Sequence, residues 1–434
     1  MLLHMARLVR GHSAATAPLA SALSDLAEAL VQARALASAS ASASASQFGL
    51  PCDEGVCDPS TMGTHAWINW NAHAAGDVEL ERMEDDLYSD RYFVGVPTQH
   101  GPYSLSTVVG FEQESAASVR LALKLMSGAH ADLAPRLVVD GELAPSDSKS
   151  YHGGTPSDEI AALAALTLGV RLRAAGTSRL SGFHEPGTVR PPILLEVPAL
   201  ATPGRPGKEF IPATMSRAAD LSLLERLLSF PRIGEEDQVE LVRAARAYAS
   251  GLWWSNEDPN QSWLYLVTAV EIAANHRQKI SASPEELIES LWPELWTVLA
   301  PVEPARRAKV AKLMASQVRA TKKFVDFLAE CAPLPPSVRP VHGSLEWGEM
   351  RQHARRVYAY RSDALHGGKP FPLPMLDEPR IELNDAVQEV PYGLSTSGLG
   401  GSWMADEAPM LLATFEHIAR GALFRWWDEL KLQH

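Results

Sequence analysis

Cysteine is scarce in this 434-residue chain, with Cys52, Cys57 and Cys331 the only three. Three are too few to staple a protein of this length and suit a reducing compartment. Long apolar runs are missing as well. The longest nearly apolar stretch, Ile160 to Val170, covers 11 residues, whereas a helix crossing the hydrocarbon layer needs about 20. No membrane span is expected. A basic excess is lacking too: 39 Lys and Arg face 52 Asp and Glu, a formal net charge of -13. That balance argues against a cation-coated nucleic-acid protein and confines any such site to a local patch. His4, Arg7 and Arg10 interrupt what would be the apolar region of a signal peptide, so a cytoplasmic protein is expected.

What remains is ordinary globular composition, 46 % hydrophobic and 21 % charged, which excludes a disordered or fibrous chain. At roughly 150 residues per domain the length suggests two or three domains. Residues Pro18 to Ala37 space their leucines for a short amphipathic helix, and the Ser-Ala repeat Ala37 to Ser46 reads as a flexible linker. Residues 1–60 are therefore expected to form an arm. From 61 to 212 the pattern mixes extended runs at Tyr92 to Val96, Leu105 to Phe111, Leu137 to Val139 and Ile193 to Val197 with helical stretches. The stronger helix opens at Ser157 and reads through to about Ala175. This is an α+β domain by pattern.

A Pro and Gly cluster from Pro198 to Pro212 marks the expected boundary. Residues 213–434 read as helical: Ala218 to Phe230, Glu235 to Trp254, Asn260 to Arg277, Pro284 to Leu299, Pro304 to Ala332, Leu345 to Leu365 and Glu407 to Leu430. Helices with one apolar face each bury those faces against one another, so an all-α bundle is predicted. The tandem pairs Trp253-Trp254 and Trp426-Trp427 are expected in its core or at a subunit interface.

The chemistry concentrates at Tyr358 to Gly368, where Arg361 and His366 form an Arg-x4-His pattern at the end of a helix. The same pattern occurs at Arg7 with His12 and at Arg179 with His184, but neither has a rigid helical frame. Five residues rotate two side chains apart by about 140°, so a single intact helix does not aim Arg361 and His366 at one phosphate. Either the helix end unwinds or a second subunit contributes, which points to a composite site. His366 sits near the negative end of the helix dipole, which favours the imidazolium, and Arg361 offers a planar charged fork for a phosphate.

The neighbourhood is basic: Pro301 to Pro370 holds 13 Lys and Arg against 6 Asp and Glu, a local net of +7. Arg306, Arg307, Lys309, Lys312, Arg319, Lys322, Lys323, Arg351, Arg355 and Arg356 line up as a track for a polyanion, against the bland alternative of solvated, paired helix faces. Glu271 lies among Trp263, Leu264, Leu266, Val267, Val270 and Ile272, so its carboxylate needs a partner, an Arg such as Arg361 or Arg243.

The run Tyr360-Arg361-Ser362-x3-His366-Gly367, with Trp263, Ala269 and Glu271 on the earlier helix Ser262 to His276, resembles the HEPN superfamily, in particular its Apea-like branch. The likeness covers roughly Asp237 to Leu430. It implies a dimeric all-α bundle that sets two Arg-x4-His motifs across a groove. It further implies a metal-independent endoribonuclease, in which the RNA 2′-hydroxyl attacks the adjacent phosphate to leave 2′,3′-cyclic phosphate and 5′-hydroxyl ends. In that chemistry His366 is the acid-base residue and Arg361 stabilises the phosphorane. Tyr360, Ser362, Asp363 and Glu271 support them, and Ser362 departs from the Asn, Asp or His that often follows the Arg in nucleolytic members. Lys322, Lys323, Arg351, Arg355 and Arg356 would bind RNA. The expected setting is a defence or toxin-like effector controlled by the amino-terminal domain; the alternative is a non-catalytic dimerising or RNA-binding module.

No cofactor is expected. Cys52, Cys57, His65 and His73 have poor spacing and acidic flanks for zinc, and Gly153-Gly154 lacks the Lys of a phosphate-binding loop.

Overall fold

The computed structural model describes residues 63–108, 120–130, 138–139, 142–143, 153–182, 198–200, 209–212, 218–278, 282–391, 395–398 and 401–431. The expected amino-terminal helix and linker, Cys52, Cys57, His184 and the run Ile193 to Val197 lie outside the described residues. Two compact units divide the chain, one of 60–279 with 323–434, the other containing 280–322.

In the larger unit, helix α1 (His65–Ala75) precedes a sheet of β1 (Glu79–Ser89), β2 (Thr98–His100), β3 (Tyr103–Thr107), β4 (Arg120–His130) and β5 (Arg173–Gly182). The strands are antiparallel in the order β2-β3-β4-β1-β5. β1 is rich in charge and gives no alternating apolar signal, yet it is a central strand with ladders on both edges. Register explains how it tolerates burial: Asp86 lies opposite Lys124, whose ammonium bonds Asp86 and also Glu84 at 2.8 Å. A half-buried cross-strand cation thus neutralises two carboxylates.

Helix α2 (Pro156–Leu168) covers the sheet. Thr155 and Asp158 form a capping box at its start, and Pro156 occupies the first turn, where its missing N–H costs nothing. Every residue from Ile160 to Leu168 is buried, because β5 and α1 pack on it together with helices that follow the sheet. The helix stops at Gly169, whose φ of 67° is left-handed, so the expected extension to Ala175 becomes the strand β5 instead.

An α+β region therefore leads into helices. Both belong to one unit, and position 212 lies inside it. Leu221–Arg232 is a 3₁₀ helix rather than the predicted α-helix. Its buried Leu221, Leu224, Leu227 and Phe230 recur every third residue, the repeat of a threefold helix. Then come α3 (Glu235–Trp254) and α4 (Pro259–Arg277), which pack on each other.

In the smaller unit the expected helix Pro284 to Leu299 is two, α5 (Pro284–Leu291) and α6 (Pro293–Leu299), broken where Pro293 disfavours a helical Trp292. They share a small core with Ala311 of α7 (Pro304–Cys331). The larger unit ends with α8 (Met350–Gly367) and α9 (Leu412–Leu430), both packed against α4. Trp263 of α4 stacks on Phe371 at 5.1 Å and Phe415 at 4.7 Å between ring centroids. Trp253, Trp426 and Trp427 are buried in this unit, as core aromatics. Among the described residues, no helix is long and apolar enough to cross a membrane.

Candidate active site at the end of helix α8

Helix α8 is set in place before the site begins. Glu389, 4 % exposed, accepts hydrogen bonds from Arg339 Nη2 at 2.7 Å and from the Leu345 amide at 2.6 Å. This ties down the segment that enters the helix. Val357 and Tyr358 bury the inner face, and the Tyr358 ring lies 5.0 Å from that of Phe324. At the other end Gly368, at φ 62°, turns the chain left-handed, and the Lys369 amide donates to Asp363 O at 3.3 Å.

Arg361 and Glu271 meet between α8 and α4. Arg361 Nη2 donates to Glu271 Oε2 at 2.6 Å, and the Tyr358 hydroxyl donates to Glu271 Oε1 at 2.9 Å. The two side chains of the ion pair are 20 % and 14 % exposed. Arg361 therefore supplies the partner that Glu271 requires, while Arg243 pairs with Glu240. Burial pushes the Glu271 carboxyl above its ordinary value, against the opposing pull of Arg361 and the hydrogen bond from Tyr358. The Arg361 guanidinium also sits 5.6 Å over the Tyr358 ring, and its Nε is buried without a partner. One edge of the fork is held by protein.

His366 stands exposed on the last turn, away from that pair. Ser362 and Asp363 are half-buried between them. Tyr360 is half-buried and donates its hydroxyl to Glu407 O at 2.5 Å, which anchors α8 to the segment before α9. The helix thus brings Arg361, Glu271 and Tyr358 together and leaves His366 apart, as the angular spacing requires.

The basic residues behave unevenly. Arg351 bonds Asp326, and Arg356 reaches Asp406 at 3.3 Å. Lys323 donates to Asn275 O at 3.1 Å. Arg355 is exposed, and Lys322 is half-buried. Sequence reasoning did not find a cleft of about 190 Å³ beside α8, lined by Glu346, Glu349, His353, Arg356 and Asp406 among others. Its walls come from three separated segments, which no local pattern connects. Among the described residues, no three His, Cys, Asp or Glu side chains are grouped to hold a metal ion.

Comparison with protein-family models, curated proteins and solved structures finds no match to this chain.

Proposed function

We propose that the carboxyl-terminal helices form a HEPN-type, metal-independent endoribonuclease that acts as a dimer, with the α+β region as its controlling part. The observation that carries this reading is the division of labour on α8. Arg361 is oriented by Glu271 and Tyr358, while His366 stands free at the negative end of the helix. A rigid cation suits the developing charge on a phosphorane. An exposed imidazole suits proton transfer. The RNA 2′-oxygen bonds to phosphorus as the bond to the 5′-oxygen breaks. His366 delivers the proton that the departing 5′-oxygen takes up, and the 2′-hydroxyl proton passes to solvent water. The products are a 2′,3′-cyclic phosphate and a 5′-hydroxyl. A defence or toxin-like role in the cytoplasm follows from the same resemblance.

A second reading has its own support: the Arg361–Glu271 pair ties α8 to α4, as a bundle-stabilising contact does. On that reading the module dimerises or binds RNA without cutting it.

Incubation of the purified protein with RNA, in chelator and on a substrate lacking the 2′-hydroxyl at the cut site, separates the two. The nuclease reading requires cleavage in chelator and none of the deoxy substrate. Intact RNA in every lane supports the non-catalytic module.

A further inference from the structure

The cations of α8 and α7 differ in how they are used. On α8, Arg351, Arg356 and Arg361 are each engaged by a carboxylate, and only Arg355 is exposed with none among the described residues. On the first part of α7, Arg306, Lys309, Lys312 and Arg319 are all exposed. No Asp or Glu occurs between Glu303 and Asp326. Among the described residues, no carboxylate pairs with any of these four side chains. At 100° per residue they fall within an arc of about 140°, and at 1.5 Å per residue they extend over about 20 Å. Ala311, about 80° outside that arc, is buried and packs with Leu287 and Ile288 of α5. Arg307, off the stripe, stacks over the Trp296 ring at 4.9 Å. The small core therefore fixes which face of α7 is turned outward.

We infer that this stripe is a phosphate-binding track for a nucleic-acid strand. Exposed cations spaced three, three and seven residues apart along one helix face match a chain of phosphates, because each one neutralised releases condensed counterions. Paired cations such as Arg351 have already lost most of that gain. A bilayer surface is the other polyanion to weigh. Among the described residues of 282–322, no large apolar side chain is exposed, so nothing is offered for insertion beneath the headgroups. The choice of RNA as the strand rests on the ribonuclease reading.

The test is binding of the full chain to a labelled 20-nucleotide 2′-O-methyl oligouridine, which cannot form a cyclic phosphate, over a series of salt concentrations. Four phosphate contacts to a single strand predict a log-log slope of about -2.8, so affinity falls about 50-fold between 50 and 200 mM salt. Replacing Arg306, Lys309, Lys312 and Arg319 together by Ala should remove most of that slope and weaken binding at least tenfold at low salt, with the circular dichroism spectrum retained. Arg351→Ala, already spent on Asp326, should change the slope by less than one contact. A quadruple variant with the wild-type slope overturns the track, as does wild-type binding to vesicles of anionic lipid with none to the oligonucleotide. Cleavage plays no part in this readout. A track that binds in a protein that never cuts refutes only the nuclease reading, and a cutting protein whose slope ignores the stripe refutes only the track.

Discussion

Arg361 and Glu271, 90 residues apart in sequence, form a 2.6 Å ion pair between α8 and α4 that the Tyr358 hydroxyl completes. This contact holds one guanidinium nitrogen while His366, on the same helix, remains exposed. Any account of the site has to explain both facts.

Glu271→Ala should lower stability by about 1–3 kcal/mol in urea unfolding, below the figure for a fully buried pair because both side chains keep some solvent contact. It should also reduce cleavage, since Arg361 loses the group that orients it. A paired Glu271→Ala and Arg361→Ala variant should cost less than the sum of the two single variants. Simple additivity would mean that the contact contributes nothing specific.

Assembly should track activity. On the proposed composite site, the roughly 140° between Arg361 and His366 on an intact helix is bridged by a second subunit, so sedimentation of the active protein at micromolar concentration should show at least a dimer. A strict monomer that cuts RNA would contradict this.

Glu159, 1 % exposed near the start of α2, has its carboxyl pushed up to about 7 by burial, although the Ala66 amide donates to it at 2.7 Å. The folded protein therefore holds a proton that the unfolded chain releases above its ordinary carboxylate value. Its contribution is fully present below about pH 4.5 and is lost as pH rises toward 7, on the order of 3 kcal/mol in all. Glu159→Gln keeps an acceptor for the amide and cannot ionise. The stability difference between wild type and variant should move in the variant's favour from pH 5 to pH 8. A difference independent of pH would show that Glu159 titrates normally.

Gly169→Ala should destabilise the protein by about 1–2 kcal/mol. The residue has a φ of +67°, and a Cβ there would lie 2.8 Å from the Arg420 guanidinium carbon. Arg420 donates to Leu166 O at 2.9 Å and Thr167 O at 2.6 Å, capping α2. Displacing it uncovers two buried carbonyls. Unchanged thermal unfolding would mean that the cap carries no weight.

Sequence reading located the long helices well because their ends are written locally. Asp258 caps α4 by accepting from the Gln261 amide at 2.9 Å, and Pro259 occupies the first turn. It also showed that Glu271 needed an Arg and offered the right one among two. The sheet was harder. β1 carries Glu79, Glu81, Arg82, Glu84, Asp85 and Asp86, and the partner of Glu84 and Asp86, Lys124, lies on a strand distant in sequence. The basic track was legible as charge but not as availability, since Asp326 and Asp406, which occupy Arg351 and Arg356, come from other segments. The helical pattern over Ala218 to Phe230 does not by itself distinguish an α-helix from the 3₁₀ helix that buries Leu221, Leu224, Leu227 and Phe230.

His366→Ala tests the central claim most directly, because the residue is exposed and its removal should leave the fold alone. The measurement is the RNA cleavage rate of wild type and variant at equal concentration, in chelator, with thermal unfolding recorded alongside. The nuclease account predicts a rate loss on the order of 10²- to 10⁴-fold and a nearly unchanged melting temperature. Undiminished cleavage by the variant, or loss of its folded state, would contradict it.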